Sequence, residues 1–219
     1  MCLGLLFALC PASARCADAL GTPRPMNVLW VTYDEEGEIK TSGASELSLR
    51  ISNNPSGIPL VAIGESQFNA TGNTCRSSAW IACFVASQEA GKQLSDYEFL
   101  YGMGKGLVDG PSAGMTFAAT GLTILEDRPL REEKTALTGA INPDGTIGPV
   151  GGVRHKLDGA IRDGVKYFGY PIGARLDYDP VKDQFYDIEE IAAKAGVTAV
   201  ELADINDAVK LLTGTVRKD

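Results

Sequence analysis

Apolar and polar positions along the chain switch repeatedly between the spacing of a strand and that of a helix. Residues 27–33 (NVLWVTY) are rich in strand formers, Glu36-Gly37 marks a turn, and residues 47–51 (LSLRI) alternate apolar with polar as a half-exposed strand does. Residues 76–90 read as a helix that Gly91 ends, and residues 97–101 as a strand running into a glycine-rich loop at 102–106. A small-residue run from Ser112 to Leu125 predicts a second helix, and residues 130–137 an extended segment. Asn142-Pro143-Asp144-Gly145 places Pro and Gly where turn geometry wants them, with a returning strand expected at 146–150. Gly151-Gly152 break the chain before a helix at 153–163 closed by Gly164, and a strand follows at 165–170. An acidic helix at 187–195, a strand at 197–202 and a helix at 204–212 capped by Asp204 complete the pattern. The class this predicts is α/β, with residues 20–219 forming one domain.

Composition narrows the possibilities. The chain has 219 residues, 44% hydrophobic and 22% charged, enough for a packed core. A net charge of −8 with no basic run excludes nucleic acid as an expected partner, because that binding relies on clustered Lys and Arg. Residues 1–19 differ from the rest: an apolar run at 3–9, Pro11, and A-x-A sites ending at Ala14 and Ala19. That layout reads as a cleavable secretory signal, although no basic residue precedes Arg15. Export to a periplasmic or extracellular location is therefore expected, with the cytoplasm as the alternative. Behind the leader only Cys75 and Cys83 remain, a pair that an oxidising compartment could join, while the apolar surroundings of Cys83 read as a buried helical face. With one histidine and no C-x-x-C, no metal is expected, and no other cofactor. The loop at 102–106 lacks the Ser or Thr after its Lys that a phosphate loop needs, so no ATP site is expected on this chain. Trp30 and Trp80 read as core residues.

The candidate chemistry lies in Asp109-Gly110-Pro111-Ser112-Ala113-Gly114. A serine between proline and a helix start is poorly placed for packing and well placed to present a hydroxyl beside the unpaired N–H groups of a first helical turn. It is equally well placed to cap that helix. As a nucleophile it needs a base within hydrogen-bond reach. G-x-S-x-G formally matches the elbow of α/β-hydrolases, for which His155 is the only histidine, but Lys156 is adjacent and competes with it. Successive helical side chains diverge by about 100°, so the two do not both face Ser112, and the residues alone leave the choice open.

Three separated segments carry a family likeness. DGPSAG at 109–114, Leu137-Thr138-Gly139, and INPDGTIGPVGG at 141–152 followed by Lys156 together resemble the proteolytic domain of the Lon serine peptidases. The closest likeness is to the stand-alone, ATPase-free Lon-like peptidases. It covers residues 70–171 well, is weak before residue 45 and only suggestive in the tail. The resemblance implies a Lon-like mixed sheet with packed helices, polypeptide substrates, a ring-shaped homo-oligomer and a Ser-Lys dyad of Ser112 and Lys156. It also implies that Thr138 orients the lysine and matches Asp109, whose role stays open between helix capping and function. A free lysine has a pKa near 10.4, so Lys156 would serve as a base only if burial, with Val150, Val153 and Leu157 as candidates for the apolar wall, lowered it. The expected activity is ATP-independent endopeptidase hydrolysis through an acyl-enzyme. Two alternatives stay open: a catalytically silent Lon-like assembly domain, and an esterase using Ser112 and His155.

Overall fold

The computed structural model describes residues 20–217 apart from 68, 105, 180 and 181. The expected leader at 1–19 with Cys10 and Cys16, and Lys105 of the glycine-rich loop, lie outside the described residues.

Strand β1 (Arg24–Tyr33) pairs antiparallel with the long β2 (Ile39–Asn53) over its whole length, with a register shift at Thr32/Tyr33. After β3 (Leu60–Gly64) and the short β4 (Asn69–Thr71) comes helix α1 (Asn73–Glu89). Then follow β5 (Tyr97–Gly102), β6 (Gly106–Val108), α2 (Gly114–Leu125) and β7 (Thr135–Leu137). The strands β8 (Ala140–Ile141) and β9 (Ile147–Gly148) form a small hairpin ahead of α3 (Val153–Arg162). The last part holds β10 (Tyr167–Pro171), the hairpin of β11 (Leu176–Asp179) and β12 (Gln184–Asp187), α4 (Ile188–Lys194), β13 (Thr198–Leu202) and α5 (Ile205–Thr213). Seven strands make one mixed sheet in the order β13-β10-β7-β1-β2-β5-β3. β1, β7, β10 and β13 run parallel, and antiparallel β2 joins them to β5.

Strand alternation sends side chains to opposite faces of this sheet. On one face Met26, Val28, Leu47, Leu49 and Ile51 pack under α1, α2 and α5 through Cys83, Phe117, Leu122 and Val209. On the other, Leu29, Ala136 and Phe168 pack under α3 and α4 through Val153, Leu157, Ile188 and Ala192. β7 is buried throughout because it is a central parallel strand covered on both faces. Helix α2 is buried at every position, which is why its sequence is small and apolar all round.

Some elements depart from the sequence expectation. The extended segment expected at 130–137 narrows to β7, since the Arg131 N–H turns away to the Leu212 carbonyl and its guanidinium lies 3.7 Å from the centre of the Tyr167 ring. The strand expected at 146–150 is reduced to β9, stopped by Pro149 and stitched by the Ile147 N–H to the Ala203 carbonyl. The hairpin β11–β12 had no sequence signal. Neither tryptophan is a core residue. Trp80 and Phe84, one turn apart on the outer side of α1, are 43% and 39% exposed. Trp30 is partly buried at the Ser112 end of β1, and its indole N–H donates to the Ser45 hydroxyl at 2.9 Å. Cys75 and Cys83 are both free thiols, buried and unpaired with each other. Cys83 is 3.2 Å from the Tyr101 hydroxyl, and burial pushes its pKa up to about 12.

Candidate active site

β7 ends at Leu137 while its neighbour β1 continues to Tyr33, and beyond Val28 no strand pairs β1 on that side among the described residues. A cleft of about 520 Å³ opens there. Its lining includes Val28, Trp30 and Val31 of β1, Leu47 of β2, Asp109 to Ala113, and Lys156. Ser112 arrives from the face of the sheet that carries α2, and Lys156 from the face that carries α3.

Ser112 precedes the helix rather than capping it. The N-cap of α2 is Ala113, with no side-chain cap hydrogen bond, so the capping role considered for Ser112 does not occur. The Gly114 N–H donates back to the Pro111 carbonyl at 3.0 Å, closing a tight turn that starts from Gly110 at φ 102°. That left-handed backbone favours glycine at position 110. The turn is stitched to the exit of β7: the Gly139 N–H donates to the Ser112 carbonyl at 2.9 Å, and the Met115 N–H to the Gly139 carbonyl at 3.0 Å. Among the described residues no acceptor takes the N–H of Ser112 or Ala113. Pro111 has no N–H to offer, so those two are the donors beside the Ser112 hydroxyl.

Lys156 is only 3% exposed. It shares the buried face of α3 with Val153, Leu157 and Ala160, the i, i+3, i+4, i+7 positions of a helix facing a sheet. Gly159 allows this close approach, since a Cβ there would sit 2.6 Å from the Gly43 backbone nitrogen. The ammonium has no carboxylate partner among the described residues; its recorded bond is to Thr138 Oγ1, at 3.1 Å. Thr138, fully buried, donates in turn to the Ser112 carbonyl at 3.5 Å, so one hydroxyl touches both segments. Burial without a counter-charge lowers the Lys156 pKa from the usual 10.5 to about 8. The Ser112 hydroxyl makes no hydrogen bond among the described residues, to Lys156 or otherwise, so the close Ser112–Lys156 contact of a dyad is not formed here.

His155, exposed on the preceding position of α3, lines a different depression with Asp158, Asp177 and Tyr178 and is absent from the lining of the Ser112 cleft. Asp109 caps a helix. Its Oδ1 accepts the Cys75 N–H at 3.0 Å, and backbone N–H groups, Gly110 first, hold its carboxyl below the usual range. It stands where the N-cap residue of α1, Gly72, has no side chain; a Cβ on Gly72 would overlap the Asp109 carboxylate. Sequence reasoning did not single out the floor of the cleft. Trp30 lies against Gly43, where a Cβ would collide with its indole. The only sequence hint was a glycine and a serine placed two apart in β2.

A mixed sheet with helices on both faces, and a cleft at the end of a parallel strand that receives one side chain from each face, define a mixed α/β protein built around that strand end. The family model of the Lon protease (S16) C-terminal proteolytic domain matches residues 87–201, just over half of the chain, and the chain belongs to this family. A Lon protease of Koribacter versatilis is 33% identical over 153 residues, covering 64% of this chain and 19% of that protein. An archaeal Lon protease of Halobacterium salinarum is 33% identical over 120 residues, covering 51% of this chain and 17% of that protein. A mitochondrial Lon protease homolog of Phaeodactylum tricornutum is 37% identical over 83 residues, 9% of its length. The chain spans less than a fifth of each of these relatives.

Proposed function

We propose that this chain is an ATP-independent serine endopeptidase domain in which Ser112 is the nucleophile and Lys156 the base. The observation that carries the reading is the Lys156 amine: buried, without a counter-ion among the described residues, bonded to Thr138, and lining the same cleft as an unengaged Ser112 hydroxyl. A surface lysine at neutral pH is almost wholly protonated, whereas one with a pKa of about 8 holds roughly a tenth of its population as free amine at pH 7.

In the proposed reaction the neutral Lys156 amine takes the Ser112 hydroxyl proton as Oγ attacks the scissile carbonyl. The oxyanion of the tetrahedral intermediate faces the free N–H groups of Ser112 and Ala113. The C–N bond breaks as the Lys156 ammonium returns its proton to the leaving amine. Water, deprotonated by the same amine, then attacks the acyl-enzyme; its C–Oγ bond breaks, the acid is released and the proton returns to Ser112. Val28, Leu47, Val150 and the Trp30 indole suit apolar substrate side chains. The unpaired edge of β1 beyond Val28 offers backbone groups to an extended peptide.

Hydrolysis of fluorogenic peptides and of esters by the wild type and by Ser112→Ala, Lys156→Ala and His155→Ala separates the readings. The dyad predicts loss in the first two variants and an unchanged rate in the third. Normal activity of Lys156→Ala sinks the dyad, and inactivity of every form leaves the silent assembly domain. Homo-oligomeric assembly belongs to the same proposal, and a monomer by light scattering at all concentrations removes it. Export is tested by the N-terminal sequence of the mature protein.

A further inference from the structure

Two helices that frame the cleft begin in the same unusual way. α1 and α3 both start from a glycine, Gly72 and Gly152, with no side chain to cap the first turn, and both take a carboxylate from a distant segment instead. For α3 that carboxylate is Asp177 of β11, whose Oδ2 accepts the Arg154 N–H at 2.8 Å. Directly across the hairpin stands Tyr186, and the Arg154 guanidinium lies 5.2 Å from the centre of its ring. Arg154 also pairs with Asp158 one turn on. A single rung of β11–β12 therefore grips the backbone and the side chain of the residue two positions before Lys156.

That turn decides where the amine sits. The Lys156 N–H donates to the Gly152 carbonyl at 2.9 Å, and Gly152 is left-handed at φ 68°. A first turn has N–H groups without helical partners, and a glycine cap cannot satisfy them itself. At its other end the Lys156 amine has only Thr138 as a partner among the described residues, so no ion pair among them would recentre it if the turn loosened.

We propose that the β11–β12 hairpin is a strap across the start of α3 and that Asp177 is a positioning residue, holding the Lys156 amine against Thr138 and toward the Ser112 cleft. The proposal rests on the dyad reading. Small displacements of a reacting group cost large factors in rate, whereas none of the described hairpin residues lines the Ser112 cleft.

The test compares Asp177→Ala, Asp177→Asn and Asp204→Ala in the full chain. Asp204 caps α5, accepting the N–H groups of Asn206 and Asp207, lies outside the hairpin and serves as a helix-cap control. Asp177→Ala is expected to lower kcat roughly tenfold with KM within about twofold, and to speed hydrogen exchange at the amides of residues 153–157. Asp177→Asn, whose amide oxygen still accepts the Arg154 N–H, restores most of the rate. Asp204→Ala leaves kcat unchanged at a similar loss in Tm. Unchanged exchange in Asp177→Ala overturns the strap, and so does an equal fall in kcat in Asp204→Ala. If Lys156→Ala proves active, the dyad fails separately, and the exchange experiment still decides whether Asp177 holds α3.

Discussion

Replacing Lys156 with methionine should stabilise the fold while abolishing hydrolysis. Methionine matches the lysine stem in length and fills the same apolar path, but it brings no charge that must be desolvated. The cost it removes follows from the lysine pKa, 10.5 in an unfolded chain and about 8 in the fold. At 1.36 kcal/mol per pH unit, that difference corresponds to about 3 kcal/mol against the folded protein. The sign follows from proton binding. Above the unfolded value the lysine is neutral in both states and costs nothing. As pH falls toward 8 the unfolded chain takes up the proton and the folded one resists, so relative stability drops, and below about 8 the whole penalty is present. Thr138 loses a donor in the variant but still donates to the Ser112 carbonyl, so no buried donor is stranded. In urea unfolding, Lys156→Met should therefore exceed the wild type by about 3 kcal/mol at pH 6 and by under about 1 kcal/mol at pH 10. The pH 6 gain corresponds to roughly 6–12 °C in Tm for a domain of this size. Other titrating groups are common to both proteins and cancel in the difference. A variant no more stable than the wild type at pH 6, or an advantage undiminished at pH 10, would refute the claim that Lys156 is buried without compensation.

Three further outcomes follow from the same geometry. The pH profile of kcat should rise with pH through a limb near 8, because the amine must be neutral to take the Ser112 proton; a flat profile between pH 6 and 9 contradicts Lys156 as the base. Gly72→Ala should lower Tm and slow hydrolysis together, since the new Cβ displaces the Asp109 carboxylate from α1 and pulls on the turn that carries Ser112; unchanged melting by calorimetry would show that the overlap relaxes without cost. Peptide mapping after treatment with iodoacetamide should find Cys75 and Cys83 unmodified in the native protein and modified in urea. Burial raises their pKa values to about 11 and about 12, and labelling of either in the native state would argue against the packing of α1.

The helices α1, α2, α3 and α5 and the strands β1, β5, β10 and β13 were legible because their periodicity spans enough residues to stand out. Asp204 was read as the cap of α5 and accepts the Asn206 and Asp207 N–H groups there. What failed to show were short pieces whose existence depends on a partner. Among the described residues β4 and β6 pair only with each other, over three residues, and the extended segment expected at 130–137 was longer than the three-residue β7, which is held by the strands on either side of it. The tryptophans were misjudged for a related reason: burial depends on what distant segments lay over a strand face or a helix side, which no local pattern records.

The candidate site divides along the same line. The sequence by itself determined which groups could act: a serine at a turn that requires glycine at 110, a lysine on the apolar stripe of an amphipathic helix, and a threonine between them in chain order. It also determined the family, since those motifs are local strings of residues. Only the tertiary structure decided where those groups stand and what surrounds them. It put Lys156 rather than His155 under the sheet, because Gly159 lets α3 approach the Gly43 backbone on one face alone. It turned Asp109 into a cap for a helix that begins 36 residues earlier, and Asp177 into a cap for α3. A lysine becomes a usable base when it loses water without gaining a counter-ion, and both conditions depend on what the folded chain brings around it from distant positions.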